Sequence, residues 1–235
     1  MAPPIITRLE DRYPIARHEH VAILYRGRSQ AFRFACFLAE GLKEGDLCTY
    51  LAPEMFHAEM FQALRGLVTN LEDYRRSDQL SFDSGSADFA ELRDRLRQTF
   101  AHAERRHVPA LRWLEEAAWT AAAGFPLHRF FEFHSILNYQ VKHYPSAALC
   151  QYDLDAIEPI HLFSTIAVHR HLLVEDTYVR DNPFYIPPEK FLPLSLEERE
   201  RDLTGVFREF GFNVTRLLEA LSGYGRLHRE PSERA

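Results

Sequence analysis

Four short apolar runs constrain this chain more than anything else in it: His20–Tyr25 (HVAILY), Leu47–Ala52 (LCTYLA), Pro109–Leu114 (PALRWL) and Ser146–Tyr152 (SAALCQY). Each is nearly unbroken, so each reads as a strand buried on both faces, as in a parallel sheet covered by helices. The segments between them have helical spacing. Ala31–Lys43 ends at Gly45, a second helix is expected from Pro53 to about Leu67, and a third from Ala87 aligns Phe89, Leu92, Leu96 and Phe100. Pro126–His143 and Glu158–Val168 each carry a proline near the start, where a first helical turn tolerates it. Strand alternating with helix predicts a doubly wound, mainly parallel α/β sheet. Leu80–Phe82 adds a short strand, and Leu172–Val174 with Thr177–Arg180 an edge hairpin turning at Glu175–Asp176.

The flanks have a different character. Residues 1–17 are polar and proline-bearing and read as a loose arm before a domain over 18–186. Asn182–Ser195 holds four prolines in fourteen residues, which excludes a continuous helix and predicts a strap over 187–194. Ser195 with Glu198 forms a capping box that opens a helix over 195–225. Leu203, Phe207, Phe210, Val214, Leu217 and Leu221 follow at spacings of 4, 3, 4, 3 and 4, a heptad seam. That seam suits either docking on its own domain or pairing with a second copy or a regulatory protein. Residues 226–235 read as a frayed tail.

Hydrophobic residues make up 46% and charged residues 26%, enough apolar side chains for a sizeable core, so a disordered chain is excluded. A net charge of −6 offers no electrostatic footprint for nucleic acid or an anionic membrane. No apolar run approaches the roughly 20 residues that span a bilayer, and no secretory signal opens the sequence. Cys36, Cys48 and Cys150 lie far apart in apolar stretches and form no Cys-x-x-Cys pair, so free buried thiols in the cytoplasm are expected.

In open α/β sheets ligands bind beyond the carboxyl ends of the strands, which directs attention to four loops. The first, Tyr25–Gln30 (YRGRSQ), has Gly27 alone and no lysine, so it lacks the glycines and cation that grip a nucleotide triphosphate. Arg26, Arg28 and Ser29 suit an anion at a helix start, or simply face solvent. Glu54 opens the second helix, where a carboxylate favours the macrodipole or meets a ligand. Glu115, Glu116 and Trp119 follow the third strand, with Trp119 either flooring an apolar pocket or filling the core. Gln151, Tyr152 and Asp153 end the fourth, where they orient a small polar ligand or cap a helix. The candidate ligand-binding set is therefore Tyr25, Arg28, Ser29, Glu54, Glu116, Trp119, Gln151, Tyr152, Asp153 and, from the family resemblance below, His169.

Twelve histidines raise the question of a metal. His169-x-His171, His161 and the His18-Glu19-His20 triplet do not have a spacing that fixes three ligands, and no metal or other cofactor is expected. No Gly-x-Ser-x-Gly elbow is present, and Cys150, inside an apolar run, is expected to be inert beside His169.

Taken in order, HVAILY, FLAEGLKEGDLCTYLAPE, RWLEEAAW, FFEFHSILNYQVKHYPSAALCQYD, His169 and NPFY (Asn182–Tyr185) resemble the MEDS domain family. These sensory domains are named for methanogens, methylotrophs and a dichloromethane-responsive repressor. The most specific elements are CQYD (Cys150–Asp153) and NPFY. The resemblance spans about residues 18–186 and implies a RecA/KaiC-like sheet that has lost its nucleotide motifs. It implies a non-enzymatic signalling module for a small, hydrocarbon-derived molecule, with His169 in its site. Two alternatives stay open: an interaction module with an occluded former nucleotide site, and a residual nucleotide-binding enzyme.

Overall fold

A computed structural model describes residues 4–157, 159–174, 176–209 and 211. In chain order its strands are β1 (Ile5–Leu9), β2 (Tyr13–Ala16), β3 (Glu19–Tyr25), β4 (Leu47–Leu51), β5 (Leu80–Asp83), β6 (Leu111–Glu116), β7 (Ser146–Asp153), β8 (His171–Val174) and β9 (Thr177–Val179). Its α-helices are α1 (Ala35–Glu44), α2 (Glu54–Arg65), α3 (Leu71–Arg76), α4 (Phe89–Arg105), α5 (Trp119–Ala122), α6 (Phe130–His143), α7 (Pro159–Val168), α8 (Pro188–Phe191) and α9 (Leu196–Glu209). Seven strands form one sheet in the order β5-β4-β6-β7-β3-β8-β9, parallel throughout except for the β8–β9 edge hairpin. This is the doubly wound sheet that the apolar runs predict. Glu175, at the hairpin turn, lies outside the described residues.

The unbroken apolar runs arise because both faces are covered. Val21, Ile23 and Tyr25 of β3 join Leu149 and Tyr50 in a core with α1 and α2. The alternate positions, Ala22 and Leu24, join Cys150, Tyr152 and Trp113 in a second core with α4 and α6. Successive residues of β3 from Val21 to Tyr25 thus go alternately to one core and the other, the period-2 geometry of a central strand. Gly45 closes α1 in the left-handed conformation (φ 85°), with its N–H bonded to the carbonyls of Gly41 and Leu42, as its place after the helical run suggests.

Three regions depart from expectation. Residues 5–16 are not a loose arm: they form a β1–β2 antiparallel hairpin whose Leu9 and Ile15 are fully buried in the first core. Tyr13 joins them in that core, and its hydroxyl donates to the Asp176 carbonyl at 2.9 Å, which docks the hairpin on the sheet edge. The first helix begins late, because residues 28–32 wind as a tight 3-10 turn before α1 starts at Ala35. A third helix, α3, fills the connection to β5 that carried no apolar period.

The capping box is present as expected: the Ser195 N–H donates to Glu198 Oε2 at 2.8 Å, and the Glu198 N–H reaches back to Ser195 Oγ at 3.4 Å. On α9, the first two seam residues pack on the chain itself. Phe207 is buried against Phe163 and Phe184 (ring centroids 4.7 and 4.9 Å), with Leu203 beside them. The remaining seam positions, Phe210, Val214, Leu217 and Leu221, and the tail lie outside the described residues. Among the described residues no helix is long and apolar enough to cross a membrane.

Candidate functional site

The carboxyl ends of the central strands β6 and β7 open onto a cavity of about 170 Å³. β6 contributes Glu116, the following turn Ala117 and Ala118, and α5 Thr120 and Ala121. β7 contributes Tyr152 and Asp153, and the wall is closed by Ala156, Ile157, Phe130 of α6 and His161 of α7. Most of that lining is methyl groups and aromatic rings. A space of this size is comparable to the engineered apolar cavities of about 150 Å³ that hold benzene.

The two glutamates at the end of β6 are in opposite states. Strand alternation sends Glu115 to one face and Glu116 to the other. Burial alone pushes Glu115 up, but His134 and two indole N–H bonds outweigh it and hold the carboxyl below its usual range. Those donors are Trp119 Nε1 at 2.8 Å and Trp113 Nε1 at 3.1 Å. Glu116 is 1% exposed, and burial pushes its carboxyl up to about 8. The Tyr25 hydroxyl donates to its Oε2 at 2.6 Å. Adjacent residues therefore present one buried anion and one buried neutral acid.

Of the residues expected from sequence, Glu116, Tyr152 and Asp153 line the cavity. Tyr25 touches it only through Glu116. Gln151 instead ties β7 to the turn after β3, donating from Nε2 to the Ala31 carbonyl at 2.8 Å. Trp119 is a core residue, fully buried against Phe125 and Phe133, and the positive φ of Gly85 (79°) lets the backbone pass under its ring. Arg28, Ser29 and Glu54 do not belong to the cavity: all three are exposed. Because the chain winds a 3-10 turn here, no α-helix N-terminus meets the Tyr25–Gln30 loop. Arg28 pairs with Glu59 and lies over the Phe56 ring at 4.6 Å. Arg26 pairs with Asp155 at 2.6 Å, and the Gly27 N–H donates to Asp153 Oδ1 at 3.2 Å. The groups that would meet a phosphate are thus engaged by carboxylates.

Sequence reasoning missed Ala117, Ala118 and Ala121, whose small side chains leave the cavity its room. Their low bulk directly after a buried strand was the available signal.

Directly behind the cavity lies a group that no spacing revealed. His20 (β3), His134 (α6), Cys150 (β7) and His169 (after α7) are all buried, and one ligand-capable atom from each lies within 4.8 Å of the others. His20 Nε2 is 3.2 Å from Cys150 Sγ, and His134 Nδ1 is 4.0 Å from it. The His20 and His169 rings are 4.0 Å apart. The sheet register explains the meeting: Ala22 sits opposite Cys150, which places His20, Cys150 and Glu115 on one face under α6. Burial, and then the neighbouring imidazoles, push His20 and His169 well below the usual histidine range. His169 does not line the cavity. It is held from both sides: its Nδ1–H donates to the Thr165 carbonyl at 2.7 Å, and Asn182 Nδ2 donates to its own carbonyl at 2.9 Å. Asn182 also grips the Ile166 carbonyl at 2.6 Å, so the NPFY segment closes the end of α7.

A family model described as the MEthanogen/methylotroph, DcmR Sensory domain matches residues 19–170. The chain belongs to the MEDS family. Its match covers the strands β3 to β7, the cavity, and all four members of the His/Cys cluster. This MEDS domain is also similar to the transcriptional repressor DcmR of Methylorubrum extorquens (strain DSM 6343 / CIP 106787 / DM4), with 26% identity over 166 residues. That match takes in 70% of this chain and 61% of the repressor's length.

Proposed function

We propose that this MEDS domain is a non-enzymatic sensor that takes a small, largely apolar organic molecule into the cavity at the ends of β6 and β7. The observation that carries this reading is the composition of the wall: Ala117, Ala118, Ala121, Ile157 and Phe130 supply apolar contact, with Thr120 as a polar handle. A neutral Glu116 fits an uncharged ligand better than an anion. Kinship with a transcriptional repressor's sensory domain supports a part in gene control in the cytoplasm. Occupancy would reach α9 through α7, which packs against both the cavity and Phe207. A ligand shifts α9 only to the extent that it binds one arrangement better than the other.

Thermal-shift and calorimetric screening of the full chain with small alcohols, acids and halocarbons tests the proposal. A stabilising hit abolished by Ala118→Phe, which fills the cavity, is expected. A flat response across the panel defeats it. The rival interaction-module reading draws on Arg26, Arg28 and Gly27, which Asp155, Glu59 and Asp153 already engage at the Tyr25–Gln30 loop. The residual nucleotide-binding reading predicts heat on titration with Mg·ATP, and none is expected.

A further inference from the structure

The structure assigns a buried metal site of the zinc class to His20, His134, Cys150 and His169. The site stands on its own residues and is independent of the cavity's ligand. Three imidazoles and a thiol supply the three nitrogens and one sulfur that a borderline-soft divalent cation takes in tetrahedral geometry. Metal–nitrogen bonds near 2.0 Å and a metal–sulfur bond near 2.3 Å put such donors roughly 3.3–3.7 Å apart. His20 Nε2 and Cys150 Sγ, at 3.2 Å, are already about at that separation, and the remaining donors need to close by about 1 Å from a 4.8 Å spread.

Two further observations point to a ligand rather than to ordinary core histidines. First, a buried lone pair is left without a partner. His169 commits its Nδ1–H to the Thr165 carbonyl at 2.7 Å, which leaves a bare, buried Nε2 with no hydrogen bond. Second, the outer groups are those that orient metal ligands. His134 offers Nδ1 towards Cys150, while its Nε2 faces Glu115 Oε1 at 3.4 Å, a carboxylate–histidine arrangement. Glu115 is itself fully buried and fixed by two indole N–H donors. The charges then balance: a divalent cation meets one thiolate and one carboxylate, so no net charge is buried. On binding, the sulfur–metal bond replaces the Cys150 S–H bond, and that proton passes to solvent.

The test uses the full chain expressed in zinc-supplemented cells, followed by metal analysis and cobalt(II) loading. The expected result is one tightly held zinc per chain, exchangeable for cobalt(II) that shows thiolate-to-metal charge transfer and the intense visible bands of tetrahedral coordination. Cys150→Ser should abolish the charge-transfer band while the far-ultraviolet circular dichroism is retained. Glu115→Gln should weaken cobalt(II) binding about 10- to 100-fold. Absence of bound zinc together with a featureless cobalt(II) spectrum in the folded wild type overturns the assignment, leaving a histidine–carboxylate pair in an ordinary core. Retention of the charge-transfer band in Cys150→Ser overturns it too, because the metal then sits elsewhere.

Discussion

Replacing Glu116 by glutamine isolates the cost of burying this carboxyl. In the folded chain its pKa is raised from an ordinary 4.5 to about 8. The unfolded chain therefore loses the proton first as pH rises, and between those values the folded state binds more protons. By linkage, stability falls with increasing pH across that window and levels off above pH 8. At about 1.4 kcal/mol per unit, the full interval corresponds to roughly 5 kcal/mol, of which about 3 has been lost by pH 7. Glutamine keeps the shape and accepts the Tyr25 hydroxyl bond, but it does not ionise. The difference in unfolding free energy between Glu116→Gln and the wild type should thus grow in favour of the variant from pH 5 to pH 8. Taking the difference cancels the buried histidines, whose lowered pKa values act in the opposite direction. Urea titrations at several pH values, followed by the fluorescence of Trp113 and Trp119, measure it. A difference that stays within about 1 kcal/mol over that range would refute the neutral-acid assignment.

Three further outcomes test the packing. Arg112 is fully buried between Asp46 (2.7 Å) and Glu44 (2.5 Å), so Arg112→Ala strands the buried Asp46 and should cost about 3–5 kcal/mol in chemical denaturation. Gly85→Ala meets both a left-handed backbone and the Trp119 ring, which the added Cβ would overlap, and should lower stability by about 2–4 kcal/mol in thermal unfolding. Asn182→Ala removes two bonds to the end of α7 and should cost about 1–3 kcal/mol, with faster amide exchange at residues 166–169 as the specific readout.

The sheet was legible in the sequence because a strand covered on both faces draws mostly on apolar residues, and four such runs stood out. The helix starts and stops were legible where a local residue decides them: Gly45 ends α1, and Ser195 with Glu198 opens α9. The β1–β2 hairpin was not, because its apolar residues are few and interspersed with polar ones, and they gain meaning only against α1 and the rest of the first core. The candidate site divides along the same line. Glu116, Tyr152 and Asp153 were accessible as strand ends, since the carboxyl edge of a parallel sheet is where loops leave room. Arg28, Ser29 and Glu54 occupy equivalent ends, yet they face solvent, and no local pattern distinguishes the two cases.

By itself the sequence determined the alternation of strand and helix, and with it a covered parallel sheet. The tertiary structure alone decided that His20, His134, Cys150 and His169 meet, although they are spread over 150 positions of the chain. Strand order is a long-range property: β3 lies beside β7 and β8 because helices must cross back over the sheet. Register then fixes which residues face one another, and chemistry between distant positions follows from register rather than from spacing.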